Sequence, residues 1–223
     1  MVDHDQSASD QASRYWDDQA RVCSAQFDFP LWRRYCDLLH SRWLCSWLGR
    51  RTFSKVLKTD LFDEAIGDGL AEVLASLILP GGECHGVDVS SVLAAQAQKR
   101  HPSLRVHCGD VRCLPLAAEQ FDLVISDSTL DHFAHPAELQ KALSELHRVM
   151  LPGGLLALTL DNPRHPLVVL RNRFGGPWMG RSALIPYFVG HTLGLRQLSK
   201  ELHTFGFELL CDGHLMHAPR LLA

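Results

Sequence analysis

Along the chain, the spacing of apolar positions changes three times. Residues 1–13 (MVDHDQSASDQAS) carry no apolar stripe and read as a flexible polar tail. From Tyr15 to Leu48 apolar residues recur at spacings of three and four, which predicts helix. A break is expected near Phe29-Pro30, because the residue before a proline is pushed out of the helical region. In the second piece Trp32, Tyr35, Cys36, Leu39, Trp43, Leu44 and Trp47 form one aromatic face, with Arg33, Arg34 and Arg42 on the remaining surface. That face is expected to pack on the following domain. It is also suited to covering an apolar substrate or lying at a membrane interface.

Beyond residue 50 the spacing alternates between strand and helix. Strands are expected at Lys55–Asp60, at a short run ending in residues 86–89, at 103–109, at 121–126 and at 155–161. Helices are expected at Leu70–Leu77, from the Ser90/Ser91 cap to Arg100, and at Pro136–Met150. Turns fall at Pro80-Gly81-Gly82 and Pro152-Gly153-Gly154. This βαβ rhythm predicts an α/β fold, a doubly wound and mostly parallel sheet with helices on both faces. The texture then changes again. Residues 163–194 are rich in proline, glycine and apolar residues and read as a substrate-covering insertion. Helical spacing resumes at Leu195–Phe205. Residues 207–213 and 214–222 then read as a terminal antiparallel hairpin bent at Asp212-Gly213, bringing the sheet to seven strands. The chain thus divides into a tail (1–13), a helical segment (14–50) and one α/β domain (51–223).

Composition narrows the function. With 46% hydrophobic and 21% charged residues, a 223-residue chain has material for one core. A net charge of −3 argues against a dedicated nucleic-acid binder, which needs a basic excess. The seven cysteines are odd in number and lack a CxxC pair, which points to a reduced, cytoplasmic protein. Neither HxxH pair (His132/His135, His214/His217) has the i,i+4 spacing of a helical zinc site, so no metal is expected. No apolar run reaches the roughly 18 residues of a membrane span, and the polar N-terminus is no secretory signal.

In an open α/β sheet, ligands bind beyond the carboxyl ends of the strands, near the reversal of strand order. Strand one ends at Thr59-Asp60 and leads through LFDEAIGDGL, where Gly67 and Gly69 allow close backbone approach. Strand two ends in Asp88, whose carboxylate can accept both hydroxyls of a ribose. Strand three ends in Asp110, which can accept from an adenine amino group.

The run GD-V-(x)2-LPL-(x)4-FDLVIS, then LDHF, then L-(x)2-ALSELHRVMLPGGLLALTLDNP resembles the class I S-adenosylmethionine-dependent methyltransferases of the small-molecule type. The resemblance covers about residues 55–215 and is most specific over 109–162. It implies S-adenosylmethionine as cofactor, with Asp88 at the ribose, Asp110 at the adenine amino group, and Val89 and Val111 sandwiching the adenine. The glycine motif departs from the family, because Lys58 stands at the expected acid position and the following loop is longer and richer in carboxylates. On chemical grounds Asp60 or Glu64 would receive the amino group of the methionine moiety, with Gly67 giving close approach. Thr59 and Ser126, at the ends of strands one and four, complete the expected cofactor set.

A nicotinamide-dependent oxidoreductase on the same architecture would need GxGxxG, but Glu72 stands at the third glycine position. The altered loop also leaves room for a non-catalytic binding or regulatory protein on this scaffold. For catalysis, His132 beyond strand four is the candidate base, with a pKa naturally near neutrality, and Asp127 is placed to orient the acceptor. Asn162-Pro163 follows strand five rather than strand four and continues as Arg164-His165, so it is not the motif of amino-directed nucleic-acid methyltransferases. Trp178, Phe174, Tyr187, Phe188 and Phe29 are expected to wall a partly apolar pocket for a small-molecule acceptor methylated on oxygen or nitrogen. The identity of that acceptor and the oligomeric state are not legible in the sequence.

Overall fold

The computed structural model describes residues 2–26, 30–164, 169 and 190–215. Two helices, α1 (Val2–Gln26) and α2 (Pro30–Leu48), precede β1 (Phe53–Thr59). Then follow α3 (Phe62–Ile66), α4 (Ala71–Leu77), β2 (Ile78–Asp88), α5 (Ser91–Arg100) and β3 (Leu104–Cys108). The described order closes with β4 (Phe121–Asp127), a 3-10 turn (Leu130–His132), α6 (Pro136–Val149), β5 (Met150–Thr159) and α7 (Leu195–Thr204).

The five strands form one parallel sheet in the order β3-β2-β1-β4-β5. Strand order reverses between β1 and β4, so the carboxyl ends of those two strands flank the crevice where such sheets take ligands. One sheet face is covered by α6, whose Leu139, Ala142, Leu143, Leu146 and Val149 are buried against Leu57, Val87, Phe121 and Val124. On the other face Leu44 and Leu48 of α2 and Leu74 and Leu77 of α4 pack on Val56, Leu123 and Ile125. Beside them Ala20 of α1, Ala65 of α3 and Leu93 and Ala97 of α5 close over Leu104.

Local chemistry sets the element boundaries. The Ser90 side chain accepts the Leu93 amide proton and caps α5, as its position predicts. Both Leu-Pro-Gly-Gly turns sit inside strand-edge bulges. Pairing jumps from Phe53↔Ile78 to Lys55↔Glu83 in β2, and from Phe121↔Met150 to Leu123↔Leu155 in β5. Gly81 and Gly153 take φ of +83° and +77° there, which a side chain would oppose.

Three expectations change. Residues 1–13 are not a tail, because helix α1 begins at Val2. Its sequence lacks an apolar stripe since α1 docks largely through Trp16, Asp17 and the fully buried Ala20. The predicted aromatic face of α2 packs only in part: Leu44 and Trp43 lie against the sheet cluster, whereas Tyr35 and Trp47 turn outward. Tyr35 and Trp47 are 38% and 46% exposed, while the aliphatic Leu44 and Leu48 are buried. Finally, residues 207–215 join no β-ladder, and 216–223 lie outside the described residues. The pocket aromatics Phe29, Phe174, Trp178, Tyr187 and Phe188 also lie outside them.

Candidate active site

The carboxyl ends of β1, β2 and β4, with the loop after β3, bring together most of the residues singled out in the sequence. Asp88 ends β2 and is 6% exposed. Its Oδ2 accepts the Leu61 amide at 2.8 Å and its Oδ1 the Ser90 amide at 2.7 Å. A carboxylate oxygen takes two hydrogen bonds, so each keeps one acceptor direction for a ligand. Burial pushes the Asp88 pKa up to about 6, against the pull of those two amides and of Lys58. Val89, half-buried, follows it.

Asp110 stands beyond β3. Burial acts to raise its pKa, but hydrogen bonds from Arg112 outweigh this and hold it below the usual carboxylate value. Arg112 Nε and Nη2 contact both Asp110 oxygens at 2.6–3.1 Å, and its Nη1 reaches Glu138 of α6. The buried Val111 lies beside it. The two acids, each beside a valine, thus set carboxylate oxygens next to apolar side chains beyond neighbouring strands.

The β1 loop is built differently. Lys58 and Glu64 are both buried, and Lys58 Nζ lies 2.9 Å from Glu64 Oε2 as an ion pair without hydrogen-bond alignment. Glu64 Oε1 accepts the Leu70 amide at 2.9 Å. Gly69, at φ +50°, leaves its side-chain space to Glu64, whose Oε1 would lie 2.5 Å from an added Cβ. Gly67 backs onto Asp63 and Arg33 rather than onto the cleft. So Gly69 makes room for an internal carboxylate. Asp60 takes φ +66°, and its Oδ1 accepts the Phe62 amide at 2.8 Å. Burial and the neighbouring Asp88 carboxyl push its pKa well up. Thr59 and Ser126, both fully buried, bond to each other at 3.0 Å, with Thr129 2.8 Å from Thr59.

Helix α1 crosses these strand ends. Asp17 accepts from the Ser90 hydroxyl at 2.5 Å, a Ser9 hydrogen bond helps lower the Asp110 pKa, and Trp16 meets Phe62 and His132 edge-on at 6.4 and 4.8 Å. Sequence reasoning anticipated only the second half of this helix and missed His40. His40 Nδ1 of α2 pairs with Asp127 Oδ2 at 2.7 Å, and Thr159 donates to the other Asp127 oxygen. Burial opposes an imidazolium, but the Asp127 hydrogen bond wins and raises the His40 pKa; Asp127 is lowered in return. The only hint in the sequence is that His40 sits four residues before Leu44, on the buried side of α2. Among the described residues, no group of three or more His, Cys, Asp or Glu could hold a metal ion.

An open parallel sheet whose order reverses between β1 and β4, with acids beyond β2 and β3, is the arrangement in which α/β proteins take nucleotide-type ligands. Residues 63–158 match the family model described as a methyltransferase domain. That match is consistent with a class I methyltransferase, the family the 109–162 run resembles. A demethylmenaquinone methyltransferase of Chlorobaculum parvum is 31% identical over 110 residues, covering 48% of this chain and 44% of that protein. A 37.1 kDa protein in transposon TN4556 of Streptomyces fradiae is 37% identical over 101 residues, covering 40% of this chain and 28% of that one. The chain spans less than half the length of these curated relatives. Among solved structures, a methyltransferase from Thermotoga maritima, a possible histamine N-methyltransferase, superposes with a TM-score of 0.59 at 21% identity, covering 85% of this chain and 80% of that one. That likeness shows the fold.

Proposed function

We propose that this protein transfers a methyl group from S-adenosylmethionine to an oxygen or nitrogen of a small, partly apolar metabolite. The observation that carries this reading is the pair of acids, the buried Asp88 and the half-buried Asp110, beyond adjacent parallel strands and each followed by a valine. When bound, S-adenosylmethionine supplies a methyl group on a cationic sulfur that a lone pair can displace. Asp88 holds the ribose hydroxyls through its two remaining acceptor directions, Asp110 accepts from the adenine amino group, and Val89 and Val111 cover the ring. Of the two acids weighed for the methionine amino group, Asp60 is the better placed. Glu64 is fully buried on Lys58 and Leu70, whereas Asp60 is partly exposed beside Asp88. Thr59 and Ser126 line the floor between β1 and β4.

His132 takes the proton of an acceptor that must lose one, and Asp127, fixed by His40 and Thr159, orients it. Helix α1 crosses the cleft and exchanges its Ser9 and Asp17 contacts for those of the cofactor. The reading places the protein in the cytoplasm, away from nucleic acid; among the described residues, no helix is long and apolar enough to cross a membrane.

Titration calorimetry with S-adenosylmethionine, followed by transfer of labelled methyl to a panel of phenols, amines and carboxylic acids, tests this. Saturable binding lost in Asp88→Ala, with transfer to at least one acceptor class, is the expected result. Absence of binding would sink the reading. Binding without turnover would favour a regulatory protein on a methyltransferase scaffold, which the internally filled β1 loop makes the second reading.

A further inference from the structure

Helix α2 has two charged sides, and only one of them faces the strand ends. Inward, Arg33 pairs with Asp63 at 2.7 Å, His40 pairs with Asp127 at 2.7 Å, and Leu44 and Leu48 are buried on the sheet. At about 100° per residue, Leu31, Arg34, Tyr35, Leu38, Arg42 and Cys45 fall on the opposite side, and all six are exposed. Leu31 and Leu38 are 67% and 49% exposed, on a stripe about 20 Å long. Charge divides in the same way. Residues 30–51 carry five arginines and one acid in a chain of net charge −3. That acid, Asp37, lies on the inward side, where the charges of Arg33 and His40 act on it. Arg34 and Arg42 lie in the outward stripe, and the exposed Arg50 and Arg51 follow the end of the helix. None of these four makes an ion pair among the described residues.

We propose that the outward stripe of α2 is a docking surface for an anionic phospholipid bilayer, with the helix lying parallel to the membrane. Leu31, Tyr35 and Leu38 enter the boundary between headgroups and acyl chains. Arg34 and Arg42 lay their apolar stems along that boundary and hold their guanidinium groups at the phosphates. Arg50 and Arg51 add attraction from the surface potential. Charge complementarity selects the partner, since a stripe with cations and no acid fits a surface that is anionic throughout. A fluid headgroup layer also accepts leucines anywhere along a flat-lying helix, whereas a protein partner needs a recess matched to each. The helix lies on the membrane without crossing it, as no helix among the described residues is long and apolar enough to span one. The stripe points away from the cleft, so docking is independent of methyl transfer.

The test is co-flotation of the full chain with lipid vesicles. Vesicles of phosphatidylcholine with about one third phosphatidylglycerol should carry the protein, and about 0.5 M salt should release it. Pure phosphatidylcholine vesicles should bind about tenfold more weakly or worse. Arg34→Gln with Arg42→Gln should weaken binding about thirtyfold, at roughly fivefold per arginine. Leu31→Ser with Leu38→Ser should weaken it about tenfold or more. Lys99→Gln with Arg100→Gln removes the same charge from the exposed end of α5 and should change binding by no more than about twofold. All these side chains are exposed, and a melting curve for each variant verifies the fold. No flotation at low salt, or equal losses in the α2 and α5 charge variants, overturns the proposal. So does flotation undiminished in the double leucine variant, because charge alone then makes the contact. Stronger capture by polyglutamate than by the anionic vesicles overturns it as well and assigns the stripe to an acidic protein.

Discussion

The two halves of the cleft obey opposite rules. At the end of β2, Asp88 is anchored by two amides yet keeps an acceptor direction on each oxygen, and beyond β3 Asp110 is held by Arg112 and by Ser9 of α1. In the loop after β1, Glu64 turns inward to Lys58 and Leu70, and Gly69 serves that inward packing. On the proposed reading, a ligand meets a prepared nucleoside half beside a half in which Lys58 and Glu64 already pair with each other. Recognition should be concentrated at β2 and β3, whereas the β1 loop should contribute chiefly stability.

Substitutions can separate the two. The largest effect is expected from Lys58→Met, which strands the fully buried Glu64 and should cost about 3–5 kcal/mol in urea unfolding. Lys58→Met with Glu64→Leu should recover most of it, since a buried ion pair and an apolar pair of similar volume are often equivalent. Asp88→Ala should leave the fold in place but weaken S-adenosylmethionine about a hundredfold, from two charge-assisted bonds lost. Gly69→Ala should destabilise by about 2 kcal/mol, from left-handed strain and the Glu64 contact, while leaving cofactor affinity within a few fold.

The smallest effect is a pH dependence that divides binding from stability. Asp88 must be ionised to accept two hydroxyls, so cofactor affinity should fall about tenfold between pH 7.5 and 5, as the carboxyl with pKa about 6 protonates. The contribution of the same group to folding runs the other way. Its raised pKa favours the fold most below the unfolded value of 3.8 and is lost as pH rises through about 6. A matched pair of titrations, one by calorimetry and one by unfolding, should slope in opposite directions.

Much of the prepared half was legible from one dimension. Asp88, Asp110 and the Ser90 cap are fixed by local order, each a short distance from the end of a strand with a clear apolar pattern. The β1 half was legible only in outline. Lys58 stood out, yet its partner depends on how α3 folds back, which no spacing encodes. The same holds for His40 and Asp127, 87 positions apart and joined only when α2 docks on the sheet. Helix α1 was hidden for a different reason. Its contacts come from Trp16, Asp17 and Ala20, so a search for apolar periodicity passes over its first half.

The division of labour across the cleft is tested most directly by comparing two ligands in one calorimetric experiment. S-adenosylhomocysteine carries both the nucleoside and the amino-acid portions, whereas 5′-methylthioadenosine carries the nucleoside alone. If β2 and β3 dominate recognition, methylthioadenosine should bind within about tenfold of S-adenosylhomocysteine, a gap of about 1.4 kcal/mol, and both should be lost in Asp88→Ala. Tight S-adenosylhomocysteine binding with no detectable methylthioadenosine binding would place recognition in the β1 loop and contradict this account.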